Sequence, residues 1–139
     1  MAVSRRPIGL FLLLAAAAPA AQVPQREAEW AAPAAAAARS NPMAGRSDVV
    51  AGGGKIFQQR CATCHGADGR GTTRAPDLTR EDVQGQTDGA LFWKISHGNA
   101  RTGMPSFSKL PEPQRWQLVL HLRWLGSPQA SPPAELNRP

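Results

Sequence analysis

Three stretches of the chain repeat apolar residues at spacings of three and four, the pattern of helices that bury one face. In the first, Val50, Gly53, Gly54, Phe57 and Cys61 line one stripe of a helix predicted over 49–60, with Ser47 or Asp48 as its cap. In the second, Leu91, Phe92 and Ile95 form the buried side of a helix over 89–97, opened by Thr87 or Asp88 and closed by Gly98. The third begins at Glu112 after Pro111, reaches Leu125 and stops at Gly126. Its apolar strings, Trp116-Val119-Leu120 and Leu118-Leu122-Leu125, cover most of its surface, which predicts burial on more than one side. Glycine inside a helix costs about 1 kcal/mol relative to alanine. Gly52, Gly53 and Gly54 therefore predict a second helix crossing backbone against backbone, with the third helix as the partner. The competing reading starts the first helix later, at Lys55.

The intervening stretches lack such periodicity. Residues 66–78 and 99–107 hold too much glycine and proline for helix or strand, and 79–86 has room for one helical turn. At the start, Arg5-Arg6, an apolar run over 8–18 and Ala18-Pro19-Ala20 read as a signal peptide over 1–20. The run is too short to span a bilayer, which disfavours an uncleaved anchor. General export is preferred to a twin-arginine route, because Pro7 follows the arginine pair. Residues 21–46 are an Ala/Pro-rich extension whose composition suits a linker. Trp30 and the Arg39-Ser40-Asn41-Pro42 turn argue for contact instead, since a linker seldom spends a tryptophan in water. A short helix over 34–38 with Trp30 against the domain is expected. The domain proper spans 47–126, and 127–139, with Pro128, Pro132, Pro133 and Pro139, reads as a disordered tail.

The formal net charge of +6 falls to about +4 when a leader carrying Arg5 and Arg6 is removed. That is mildly basic, and no basic run interleaves with stacking aromatics, so nucleic acid is not implied. Only two cysteines occur in the 139 residues. An exported chain keeps no idle thiol, and these two are in one motif.

The motif is Cys61-Ala62-Thr63-Cys64-His65, the attachment signature of a c-type haem. Two vinyl groups meet two sulfurs separated by two residues on one helical turn, and the next residue lies under the iron. Cys61 and Cys64 are thus the candidate thioether links and His65 the candidate proximal ligand. A structural zinc site wants four Cys or His ligands, and this chain has no second knuckle. A thioredoxin-like pair needs a strand before it and a helix after it, whereas helical residues precede this one and Gly66 follows. The loop after His65 brings Pro76 as a candidate carbonyl acceptor for the second ring nitrogen of His65, which would fix its tautomer.

Met104 stands between Gly103 and Pro105 in an otherwise polar loop. A lone methionine is usually core, but here the thioether is the candidate sixth ligand, and His/Met ligation raises a haem's potential. Gly103 would let the backbone approach the porphyrin. His97, His121 and Met43 are the competitors: a helix-end imidazole, a packed histidine and a residue of the extension. Trp93 is a candidate for a haem propionate through its indole N–H, with plain core filling as the alternative.

Taken together, Cys61–His65 with Phe57 four residues earlier, Ala75-Pro76-Asp77-Leu78, the Asp88-Gly89 helix, Gly103-Met104-Pro105 and the terminal amphipathic helix resemble a small monohaem class I cytochrome c of the exported bacterial kind. The resemblance covers roughly 47–126. It implies an all-α fold of three to four helices and loops wrapped round one covalently attached haem c, with His65 and Met104 as axial ligands. One departure is His121, where the family often places an aromatic residue against the first helix. The activity implied is one-electron carriage in a periplasmic chain, without enzymatic chemistry, because neither axial position is open. Partners would be a redox donor and acceptor, such as an oxidase, a dehydrogenase or another cytochrome. The membrane would be met only through a partner or an uncleaved leader. Arg60, Arg70, Arg101 and Lys109 are candidates to rim the exposed haem edge. Two other readings stay open: a relay subunit fixed in a membrane oxidase or periplasmic dehydrogenase, and a ligand sensor whose Met104 dissociates easily.

Overall fold

The computed structural model describes residues 30–130. The expected signal peptide, the first part of the extension and most of the expected disordered tail lie outside the described residues. In chain order the helices are α1 (Ala34–Ala37), α2 (Val50–Arg60), α3 (Ala62–His65), α4 (Glu81–Gln84), α5 (Asp88–His97) and α6 (Glu112–Leu125). Short 3₁₀ turns cover Ser47–Val49 and Pro128–Ala130. The described residues contain no strand, and Asn99 and Met104 form one isolated bridge. The fold is all-α.

The main crossing is α2 on α6, and glycine makes it possible. A Cβ built on Gly53 would lie 2.1 Å from the Gln117 carbonyl oxygen, so the two backbones touch at this point. The helix therefore does not wait for Lys55. Neither Ser47 nor Asp48 caps it, contrary to expectation. The intervening 3₁₀ turn takes up the chain, and the Asp48 carboxylate is held by Arg46 at 2.5 Å. The guanidinium's hydrogen bond keeps that carboxyl below the usual aspartate range.

Around the crossing, Phe57, Leu91, Phe92, Ile95, Trp116, Leu118, Val119, Leu122 and Leu125 form one core, with Phe57 and Val119 both 0% exposed. The helix ends are closed by side chains as well as backbone. Thr87 Oγ1 accepts from Ala90 N–H at 3.2 Å and caps α5. Gly126 ends α6 at φ −81, so no left-handed turn demands glycine there. What demands it is Gln84, whose side chain would meet a Cβ at 2.3 Å. Its Nε2 donates to Leu122 O at 3.0 Å and to Leu78 O at 2.7 Å. Arg123 completes this junction, donating to Asp88 at 2.8 Å and to the Gln84 and Gln86 carbonyls.

From Trp30 on, the extension is packed on the helices. The carbonyls of Ala36, Ala37 and Arg39 crowd the Cα of Gly89, where a Cβ would approach Ala36 O to 2.2 Å. Those of Ala36 and Ala37 end α1 and that of Arg39 follows it, all set against the start of α5, so partial negative charge meets the positive end of a helix dipole. Asn41 is buried and donates from Nδ2 to Trp116 O at 3.2 Å. Arg39 lies 4.8 Å over the Phe92 ring, which itself stacks on Trp116 at 3.9 Å. Its ion pair with Glu112, 2.6 Å long, is about half exposed and adds little by itself.

His121 occupies the crossing, 6% exposed, with its ring 5.1 Å from Phe57 and 5.5 Å from Trp124. Neither ring nitrogen has a hydrogen-bond partner among the described residues. Burial pushes its pKa below the ordinary histidine value. The sign of the pH effect follows. At pH values above the unfolded pKa of about 6.5, both states are neutral; as pH falls below it, the unfolded chain protonates first and stability declines. The decline, at most about 1.4 kcal/mol per pH unit, ends at the depressed folded pKa. His121→Phe is expected to remove that slope, and to gain about 1 kcal/mol at pH 7 by deleting unpaired polar atoms. Urea melts at pH 7 and pH 5 check it: parallel losses in both proteins would contradict the assignment.

Candidate functional site

The chain leaves α2 at Arg60, and Cys61, at φ −119 and ψ −36, joins it to the single turn of α3. Hydrogen bonds from Cys64 N–H (3.1 Å) and His65 N–H (3.0 Å) to Cys61 O close that turn. Both cysteines are therefore on one tight helical coil, half-buried and free of any disulfide. Burial, and secondarily the neighbouring Cys64, push the Cys61 thiol up to about 11. Reactive CxxC thiols show the opposite shift. Among the described residues no group of three or more His, Cys, Asp or Glu side chains gathers, so the pair has no zinc-type companions.

Gly66, at φ +82, turns the chain out of α3 into the loop expected from its glycines. That loop is tied back to the turn repeatedly: Gly71 N–H donates to His65 O at 2.7 Å, and Thr72 Oγ1 to Cys64 O at 2.5 Å. Gln58 on α2 holds it from outside through Ala67 O, 2.7 Å away. At Gly71 a Cβ would meet Asp77 N at 2.6 Å, so the returning segment 75–77 passes over a bare Cα. This passage sets Pro76 O 2.9 Å from His65 Nδ1. A carbonyl can only accept, so Nδ1 carries the proton and Nε2 of the neutral ring keeps its lone pair. Asp77 steadies the passage, its Oδ1 accepting from both N–H and O–H of Thr79 at 2.7 Å.

The second half of the site hangs from the end of α5. Gly98, at φ +65, reverses the chain, and its missing Cβ leaves room for the Met104 carbonyl, which would be 2.6 Å away. Asn99 and Met104 then exchange both backbone hydrogen bonds, Asn99 N–H to Met104 O at 2.9 Å and Met104 N–H to Asn99 O at 3.0 Å. Gly103 supplies a left-handed turn at φ +81, and no other protein atom lies within 4 Å of a Cβ placed there. Its requirement among the protein atoms is for that angle. Beyond Pro105, Ser106 Oγ donates to Ser96 O and Phe107 N–H to Ile95 O, which fastens the loop to α5. Cys61 and Phe107 pack on the same core, so the two halves share one apolar floor.

The competitors of Met104 have other occupations. His97 Nδ1 is 2.9 Å from Trp93 O and its ring stacks on Trp93 at 4.4 Å. Met43 packs on the core beside Asn41, whose Oδ1 takes its N–H. Trp93 does not fill the core, the second of its two sequence expectations. It is half-buried and lines a groove of about 190 Å³ with Ala36, Arg39, His97 and Arg115. On a helix it is about 200° round from Leu91, which makes it neither core filling nor part of the Leu91–Ile95 face. Sequence reasoning missed Thr72 and Gly71 as supports of the site, and read Gly98 only as the end of α5. Of these, only the positive-φ glycines left a signal, as glycines in loops.

The family model described as cytochrome C oxidase, cbb3-type, subunit III matches residues 48–122, more than half of the chain. No curated protein matches it.

Proposed function

The chain belongs to the cytochrome c family represented by cbb3-type oxidase subunit III, and from that premise we propose that it is a one-electron carrier of the periplasm. As a small class I cytochrome c it is built for haem-based electron transfer with redox partners. In the proposed site one haem c would be held through thioethers to Cys61 and Cys64, with His65 and Met104 as the iron's protein ligands. The residues suit the group: two half-buried, unpaired thiols on one turn, and an imidazole fixed by Pro76 so that Nε2 is the basic nitrogen. That bond between His65 and Pro76 is the observation that carries the reading, because a ligating histidine is normally oriented by a carbonyl on its other nitrogen. When bound, the haem supplies an iron that takes up and gives back one electron.

The remaining work falls to the chain. His65 holds a nitrogen donor in one tautomer, and Met104 offers a soft sulfur that favours the reduced state. With His65 and Met104 both holding the iron, small oxidants would be kept from it, and enzymatic chemistry is not expected.

A second reading rests on the matched family's own description, which is of an oxidase subunit. In it the domain is a fixed relay within a membrane complex. No helix among the described residues is long and apolar enough to cross a membrane, so docking would rest on other parts or on a partner. Purification from native membranes separates the two: a carrier travels alone, a relay comes with its complex.

The proposal is tested on the full chain made in a host that attaches haem. A mass one haem above the polypeptide is expected, together with a ferric spectrum of Met ligation. Met104→Ala should lower the midpoint potential, within the ~0.8 V that axial ligands command, and should let carbon monoxide bind the reduced protein rapidly. An unchanged potential would remove Met104 from the site.

A further inference from the structure

Trp30 is 68 residues from Gly98 in sequence, yet its indole N–H donates to Gly98 O at 2.8 Å. Lys94 Nζ lies 4.6 Å over the same ring, so the indole is held by its face as well as its edge. The strap that carries Trp30 is fastened at its other end too. Thr87 Oγ1 donates to Ala37 O at 2.7 Å, and the α1 carbonyls crowd Gly89. The extension thus runs from the end of α5 back to its start.

What matters is which carbonyl Trp30 takes. Gly98 C=O and Asn99 N–H are the two polar groups of one peptide unit, which is planar and rigid. The N–H of that unit is the group that holds Met104 O at 2.9 Å. One side of the plane is therefore gripped by the extension and the other grips the backbone of Met104. A donor on the carbonyl also polarises the peptide and strengthens the bond its N–H makes.

We propose that Trp30 is a positioning residue for the Met104 loop: its indole locks the Gly98–Asn99 peptide and so keeps Met104 in place to ligate. The inference rests on the proposed role of Met104. Freed of the indole, the peptide can rotate, and the Asn99–Met104 pair opens more often.

The test uses the full, haem-loaded chain and its Trp30→Phe variant, which keeps an aromatic ring for Lys94 while removing the N–H and the smaller part of the indole. Imidazole is the probe, because it competes with Met104 for the ferric iron. We expect imidazole to bind the variant about five-fold more tightly, the equivalent of ~1 kcal/mol for one hydrogen bond. Exchange of the Asn99 and Met104 amide hydrogens should quicken by a similar factor, while amides of α2 stay as they were. Trp30→Ala, which also removes the ring, should exceed both effects.

If the wild type shows the far-red Met-to-iron band and Trp30→Phe matches it in imidazole affinity and exchange, the latch is wrong and the ligand stands. Uniformly faster exchange across α2 and α6 would also overturn it, by showing a general loss of stability. A wild type without that band defeats the ligand reading first, and the latch with it, before any variant is made.

Discussion

Gly53→Ala is expected to cost about 3 kcal/mol or more, at the upper end of what overpacking a tight interior does, while the same change at either neighbour costs little. The added methyl would lie 2.1 Å from Gln117 O and 2.7 Å from its carbonyl carbon. Backbone inside a helix cannot turn aside, so α2 and α6 must part. At Gly52 the nearest atom is the Gln117 side-chain oxygen at 2.9 Å, the far end of a flexible chain that can swing away. At Gly54 it is the His121 ring at 3.2 Å, which has to give a few tenths of an ångström. Both outer sites also gain up to ~1 kcal/mol of helix propensity. Urea denaturation of the three alanine variants checks the ordering. Equal losses at all three would mean that the helices do not meet at Gly53. For a domain with total stability of about 5–15 kcal/mol, Gly53→Val should leave little folded protein.

That series marks how far the sequence could be read. Three consecutive glycines on an amphipathic stripe announced a close crossing, because helix propensity makes each of them costly without one. Which glycine takes the contact depends on the rotation of α6 about its own axis, and local spacing carries no information on that. The helices α5 and α6 were legible to the residue at Gly98 and Gly126, but for different reasons in each case. Gly98 is needed for its positive φ and for the Met104 carbonyl, whereas Gly126 makes room for Gln84. The latter contact spans 38 residues or more to Leu122 and left no local trace.

The site was legible where chemistry fixes the spacing. Two thiols and an imidazole on one turn, and a proline eleven residues beyond His65, end within a single bonded unit. Legibility failed where a side chain's direction decides. Trp93 is apolar enough for the core, and only its angle round α5 puts it in the groove with Arg39 and Arg115. The extension was legible through single residues and not through its composition. Its composition is that of a linker, yet Trp30, Arg39 and Asn41 each find a partner in α5 or α6, or just past the end of α5, more than 65 residues away. Composition averages over Ala and Pro and gives these three residues no weight, whereas Trp30 and the Arg39–Pro42 turn, read singly, pointed to contact. At the other end, the 3₁₀ turn Pro128–Ala130 and the bond from Ser127 N–H to Trp124 O carry ordered chain past Gly126, where the tail was expected to begin.

Cys61→Ala together with Cys64→Ala is expected to yield a chain of bare polypeptide mass that unfolds several kcal/mol more easily than the wild type, the size of effect that losing a tightly bound group produces. The control is internal to the substitution. If the sulfurs were only packing, removing two half-buried thiols would cost no more than about 2 kcal/mol, since Cys61 touches the core from its edge and Cys64 contributes less. A larger loss must come from the group that the sulfurs attach. The pairing of α2 with α6 does not depend on those thiols, because its closest approach is at Gly53, two helical turns before Cys61. Weakness should therefore appear first in the parts that face the site. Hydrogen exchange on the double variant should show the 66–78 and 99–107 loops losing protection before the α2–α6 crossing does. A variant as stable as the wild type to within ~2 kcal/mol, with both loops still protected, would leave the two cysteines with no role beyond filling space.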